Sequence, residues 1–597
     1  MTPKDSLPLP FSVPPVKRAR RQCGYLVAAS VLVGSIYTAL AWLPPGSGNQ
    51  AEDLPKILRL LNPEFLANDQ FVNSSDQGFS IRFYYAHIMA FLVDVFGLNL
   101  AMFTTCLVLN VATVLVTACA GYKLFGNSLR AGLISAVLST QTAIKIASSY
   151  EVLAVVTLAN FLAMLFVYCA IYLIVFRNRF VSASIFLGVS SLIQPLSGIA
   201  AFGFCILGFV AINLAVASNG CDEATPPLKG LRLLRITAVG TTLFACFAAA
   251  IVVPYIMTSG SEISDRRFVE LFAFFRIPHH SLPSEFLTIK TLVALAAAST
   301  LIFIVFKTRT FVTDRRAVPF IGAFFAAFLV ALLFNFLFVE VYPTRIFATL
   351  VPVMKLSSFL NWFTLVCLSG FLAHRVDRNR SSVIGWLSIG ALSVTTAQGL
   401  ELAAVVLTLT IVIFIVDAAP RRLVSSMSVS SLLFTSVACL AAAVVVATLA
   451  LGPWHGLSED SPGRSNTGVD ADLFGYVTTM TPTDAIFLVP HDFHQFRLSA
   501  NRAIVAAFKT YPANDTGLDE WFQRMMDSYT CTQGRTQGIS TFKQGFDFES
   551  SYSKIDDSCL AMITRRYGAS YAVLPLGVLT SHPVLFADES YKLVALD

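Results

Sequence analysis

Long apolar runs separated by short polar segments recur along most of this chain, and only the last quarter changes to a shorter rhythm. Apolar runs of about 20 residues match the length of a helix that crosses a bilayer. They predict helices near 23–43, 99–122, 131–148, 152–176, 181–193, 197–217, 236–257, 291–307, 318–339, 346–373, 382–399, 401–417 and 427–450. Residues 82–97 are too short and too interrupted to cross, and are expected to lie at the interface or to re-enter. In the polar stretch before them, Leu54, Ile57, Leu58 and Leu61 follow i, i+3, i+4, i+7. That spacing predicts an amphipathic helix along the membrane surface. Gln194-Pro195, inside an apolar segment, marks a kink or a helix break, with a binding role as the other reading.

From Pro453 onward turn residues cluster, and a soluble α/β pattern follows. "AIFLVP", "AIVAAF" and "SYAVLP" read as short buried strands, alternating with helices near 517–529 and 556–567. The ending "VLFADESYKLVALD" reads as two strands around an acidic turn. The expected fold is therefore mainly α: a polytopic transmembrane bundle of about thirteen spans, N-terminus in and C-terminus out, with a C-terminal soluble α/β domain. Its parts are a basic cytoplasmic tail (1–22), a transmembrane domain (23–451) and an external domain (452–597). The transmembrane domain includes a first external loop at 44–98 and a second at 258–290.

Composition agrees with this reading. The 597 residues are 55% hydrophobic and only 13% charged, too little charge to cover a soluble protein of this length. The net charge of +6 has a local explanation. "RNR" at 177–179, "KTRTFVTDRR" at 307–316, "HRVDRNR" at 374–380 and "PRR" at 420–422 all fall on the predicted cytoplasmic side, as the positive-inside rule requires. Glu52, Asp53, Glu64, Asp69, Glu151, Glu262, Glu285 and Glu340 fall outside. No basic stripe or aromatic-basic interleaving suggests nucleic acid. "ALA" at 39–41 offers a cleavage site for a signal peptide, but a long multi-pass chain usually keeps its first helix as an anchor. Cys531 and Cys559 lie in the polar C-terminal region, where an oxidising exterior would allow a disulfide.

The outer side gathers "AEDLPKILRLL" with "LANDQF", "FFRIPHHSLPSEF", "VYPTRIFATL" and the closing "RRYGASYAVLPLG…PVLFADESYKLVAL". This ordering of parts resembles the C-type membrane glycosyltransferases, the GT-C superfamily, and within it a bacterial subgroup of multi-pass proteins with an Arg-x-Pro-His-His loop. The resemblance implies transfer of a sugar from a polyprenyl-phosphate donor to a glycan or lipid acceptor of the cell envelope. The transfer would occur on the non-cytoplasmic side of the bacterial inner membrane. It also implies an acidic residue of the first external loop as general base.

Asp53 stands at that position, although a residue just before Leu54-Pro55 and an amphipathic run also suits a helix N-cap. Asp69 is the reserve, against an ordinary turn aspartate. Arg345 suits a phosphate clamp through its planar fork, or an interfacial helix anchor; Arg82 and Arg276 carry the same two readings. Glu340 shares the outer helix junction with Arg345. His279 and His280 have three readings: donors to phosphate or sugar hydroxyls, ligands of a divalent metal such as Mg or Mn together with Glu285, or part of a proline-bounded turn. "HDFH" at 491–494 reads as loop surface, and Lys145 as a snorkelling interfacial lysine. The rival functions are a transporter or flippase for lipid-linked glycans, and a non-catalytic envelope scaffold.

Overall fold

The computed structural model describes residues 15–46, 49–74, 79–140, 151–219, 228–258, 263–307, 316–350, 353–378, 471–512, 515–531 and 547–596. The expected helices 382–399, 401–417 and 427–450, and Lys145, lie outside these residues. Among the described residues, seven helices are long and apolar enough to cross a membrane. They are Gln22–Ala41, Leu98–Leu124, Ala159–Arg177, Pro195–Val216, Gly230–Thr258, Ala317–Val341 and Leu356–His374. Phe83–Phe96, Leu129–Leu138, Phe180–Ile193 and Thr291–Phe306 are shorter apolar helices beside them. The protein is an integral membrane protein of polytopic helical type with a small C-terminal α/β domain.

The span Leu356–His374 is the most enclosed of these. Trp362 stacks on Tyr168 at 4.8 Å and donates its indole N–H to Thr117 Oγ1 at 2.9 Å, so its one polar atom is satisfied inside an apolar bundle. Between Phe83–Phe96 and Leu98–Leu124 the chain reverses at Gly97, whose φ of 76° suits a residue without a Cβ.

An expected helix is shortened. Residues 151–158 are not helical; the helix expected from 152 begins at Ala159. Asn110 bonds both the N–H and the carbonyl of Ala154, each at 2.8 Å, and Val155 O accepts from Leu43 N at 2.9 Å. Fixed side-chain and backbone partners thus satisfy an extended segment within the bundle, the condition for irregular backbone at that depth. Over the helix expected at 346–373 the described residues form Arg345–Leu350 and Val353–Arg378, with 351 and 352 outside them. Gln194 is an extended break between Phe180–Ile193 and the helix that starts at Pro195.

In the C-terminal domain a five-stranded sheet has the order β2-β1-β3-β5-β4. The strands are β1 (Ile486–Leu488), β2 (Ala503–Ile504), β3 (Ala569–Pro575), β4 (Val584–Ala587) and β5 (Tyr591–Ala595). β1 pairs in parallel with β2 and β3, while β5 runs antiparallel to β3 and β4. Helices Asp515–Tyr529 and Asp557–Tyr567 stand where the sequence pattern put them, and Cys531 is disulfide-bonded to Cys559.

The domain does not sit alone. Phe268, Leu271, Phe275 and Leu282 share one apolar core with Leu488, Val505, Trp521 and Phe548. Arg267 bonds Asp519 at 2.9 Å, and Asn68 donates to Asp484 O at 2.7 Å. The first polar loop, the loop around 263–288 and the C-terminal domain therefore lie on one face of the bundle.

Candidate functional site

The helix Gln50–Leu61 supplies the acidic side of the site. Asn49, not Asp53, holds its N-cap position, and Glu52 and Asp53 lie in its first turn. The N-cap alternative for Asp53 is therefore replaced by a place inside the helix, where a carboxylate also favours the positive end of the dipole. Asp53 is buried, its Oδ1 held by Arg82 while Oδ2 has no hydrogen-bond partner among the described residues. Glu52 bridges two arginines, Arg82 at 3.4 Å and Arg276 at 3.1 Å.

Arg276 ends a π-helical turn, Glu270–Arg276, a distortion that often re-aims side chains at functional sites. It also donates to Lys509 O at 2.7 Å and lies 4.8 Å from the Tyr511 ring, while its buried Nε lacks an acceptor among the described residues. Prolines open the next two short helices, Pro278–Ser281 and Pro283–Phe286, at positions where a missing N–H costs nothing.

These groups meet at a cavity of about 450 Å³. Glu52, Asp53, Arg82, Arg276 and His280 line it from the two loops. Asn160 and Gln194 line it from the helix bundle, and His491, His494, Lys509 and Tyr511 from the C-terminal domain. Residues near 53 and near 280 thus face one pocket on one side of the bundle. An adjoining apolar groove of about 340 Å³ shares Ile81, Leu196, Phe272 and Tyr511 with it. Ile251, Tyr255 and Ile256, at the end of a membrane helix, line the groove's far side.

The electrostatics follow from this crowding. Burial works against the Arg82 charge, but the Asp53 and Glu52 carboxylates outweigh it and raise the guanidinium above its usual range. Burial lowers Lys509, and the Arg276 charge lowers it further against the pull of Glu52. His494 is pushed down to about 4, first by burial and then by the charge of Lys509. Burial raises Tyr511 to about 12, so the phenol stays protonated beside the arginine.

The remaining sequence candidates take other places. Arg345 lines the apolar groove, 3.5 Å from Asp265, with its guanidinium 4.7 Å from the Phe268 ring. Glu340 accepts from Ser284 N at 2.7 Å and so holds the Pro283–Phe286 turn. Asp69 caps the short helix Gln70–Asn73 and is fully buried against Arg497, away from the cavity lining. Glu285 is exposed, and among the described residues no three His, Cys, Asp or Glu side chains gather to hold a metal. Of the donor set expected from His279, His280 and Glu285, the His279 side chain lies outside the described residues, and no step is routed through a metal. "HDFH" differs from its expected place on the loop surface, since His491 and His494 line the cavity. Glu52 and Lys509 carried one available signal, a charge in a segment bordering apolar runs, but nothing in the sequence linked the two segments.

A profile described as "Domain of unknown function (DUF6798)" matches residues 470–528, the beginning of the C-terminal domain. Comparison with curated proteins gives no match. Among solved structures the chain is similar to "ArnT from Cupriavidus metallidurans bound to Undecaprenyl phosphate", at 14% identity and a TM-score of 0.46, over 96% of this chain and 98% of that one. At that identity and score the likeness bears no functional weight.

Proposed function

We propose that this protein transfers a sugar from a polyprenyl-phosphate donor to a glycan or lipid acceptor of the cell envelope, on the non-cytoplasmic face of the bacterial inner membrane. The observation that carries the reading is the joining of two unlike cavities at the membrane-facing loops. One carries carboxylates and cations in its lining; the other is more apolar and runs along the end of a membrane helix. An isoprenoid tail calls for the second, and a sugar phosphate for the first.

In this reading the acceptor hydroxyl attacks the anomeric carbon and the sugar–phosphate C–O bond breaks. Polyprenyl phosphate leaves with the bonding electrons, and the hydroxyl proton passes to Oδ2 of Asp53, the oxygen without a partner among the described residues. Arg82 keeps the carboxylate in place through Oδ1. Arg276, His280 and Lys509 offset the charge that grows on the phosphate, and the fork of Arg345 acts at the groove. Glu340 supports the Pro283–Phe286 turn, which follows the short helix that carries His280, and Asp69 serves docking rather than chemistry.

The test offers purified protein a panel of polyprenyl-phosphate sugars and follows sugar release. Release by wild type and its loss in Asp53→Asn support the reading. Release unchanged in Asp53→Asn removes the base assignment. No release from any donor, with or without an acceptor extract, returns the protein to the transporter or scaffold class.

A further inference from the structure

Two side-chain amides facing the same cavity have no part in the chemistry above. Asn160, 6% exposed, stands at the second position of the helix Ala159–Arg177, directly after the extended segment 151–158. Gln194, 2% exposed, occupies the break between two helices. Both line that cavity. Among the described residues, Asn160 Nδ2 has no acceptor and Gln194 Oε1 has no donor.

Their positions are fixed by neighbours. Ser197 Oγ donates to Asn160 Oδ1 at 3.0 Å, which ties that amide to the helix that starts at Pro195. The Ser197 and Gly198 N–H groups each donate to the Gln194 carbonyl at 3.1 Å, anchoring the break itself. A buried amide group left without a partner is costly, and structures rarely keep two beside one cavity unless something pairs with them.

The polarity of the unpaired atoms selects among ligands. A metal ion would use the oxygen but not the N–H, and a phosphate would use the N–H but not the oxygen. A hydroxyl both donates and accepts, so a ring bearing several hydroxyls suits the pair. We propose that Asn160 and Gln194 form the subsite that reads the hydroxyls of the donor sugar, Asn160 Nδ2 donating to one and Gln194 Oε1 accepting from another. This rests on the donor reading above. Such a site discriminates strongly, because a sugar lacking the hydroxyl leaves the protein's polar groups unpaired.

The test measures equilibrium binding of three probes to the full-length protein in detergent. They are bare polyprenyl phosphate, the same lipid carrying a hexose or a pentose, and the free methyl glycosides. Asn160→Asp keeps the acceptor for Ser197 while replacing the free N–H, and Gln194→Met keeps length without polarity. In wild type the better sugar-bearing lipid binds more tightly than the bare lipid. In each variant that advantage falls by about tenfold or more, while bare-lipid affinity, which doubles as the folding control, holds. Should a variant lose bare-lipid binding, Asn160→Ser or Gln194→Asn is read in its place.

An advantage retained in both variants would overturn the proposal, leaving amides that only hold water. A loss confined to the free glycosides would overturn it too, by moving the hydroxyls to the acceptor. If wild type binds no polyprenyl phosphate, the donor reading fails and the subsite falls with it. The first two results leave the donor reading intact, so the failures are distinguishable.

Discussion

Arg497 and Asp69 meet at 2.7 Å, fully buried and 428 residues apart in the chain. Asp69 Oδ2 also accepts from Ile504 N at 3.0 Å, its Oδ1 accepts from Val72 N at 3.2 Å, and Arg497 donates to Thr510. The pair pins the C-terminal domain to the first polar loop and so sets the cavity between them. Removing one partner leaves the other as an uncompensated buried charge, a change that typically costs about 3–5 kcal/mol. Asp69→Ala and Arg497→Met should each lower the unfolding temperature in detergent and speed proteolysis of the C-terminal domain. The double variant, which removes both charges, should be less damaged than the sum of the two. Additive losses would show that the pair is not the pin.

Asp53→Asn keeps shape and burial and removes the base. It should reduce sugar transfer by about 10²- to 10⁴-fold, and lower the unfolding temperature less than Asp69→Ala does, because Glu52 still pairs with Arg82. It also weakens the hold on Arg82, so donor affinity is measured alongside turnover. A loss confined to affinity would assign Asp53 to holding Arg82 rather than to taking the proton.

Contrasting the two aspartates shows what the sequence carried. Periodicity located the amphipathic helix Gln50–Leu61, and the alternating pattern located each strand of the C-terminal sheet, because both features are local. The roles of Asp53 and Asp69 depend on Arg82 and Arg497, and the second of these lies in another domain. Both acids belong to one polar loop, and no local rule separates them. Residues 151–158 were misread as helix for a related reason. Their composition is apolar like a span, whereas the groups that hold them extended, Asn110 above all, come from another helix. His280 lines the cavity from a short helix opened by Pro278, a cue the sequence displays, while His491 and His494 have no such cue beside them.

The disulfide Cys531–Cys559 closes a separation of 28 residues beside the core that the domain shares with the 265–282 segment. On the chain-entropy account a loop of that length is worth about 3–4 kcal/mol. Cys531→Ser with Cys559→Ser, or wild type under reductant, should lower the unfolding temperature of the C-terminal domain. The helices of the membrane bundle should keep their circular dichroism. An unchanged transition would mean that packing around Trp521 and Phe548 holds the region without the covalent link.

Acid should loosen the contact between the C-terminal domain and the loops through His494. Burial and the Lys509 charge hold its pKa at about 4, against 6.5 for an unperturbed imidazole. Between those two values the unfolded chain binds a proton that the folded chain refuses, so stability rises with pH across that window. The contribution is fully present above pH 6.5, declines as the pH falls towards 4, and changes no further below. Unfolding temperatures of wild type and His494→Gln, measured from pH 7.5 to 4, should therefore converge as the pH falls, the variant showing the shallower slope. Lys509→Met removes a charge that disfavours the imidazolium, so in that variant the His494-linked loss should still begin near pH 6.5 but be smaller and level off above pH 4. Parallel curves for wild type and His494→Gln would show that other groups carry the acid response.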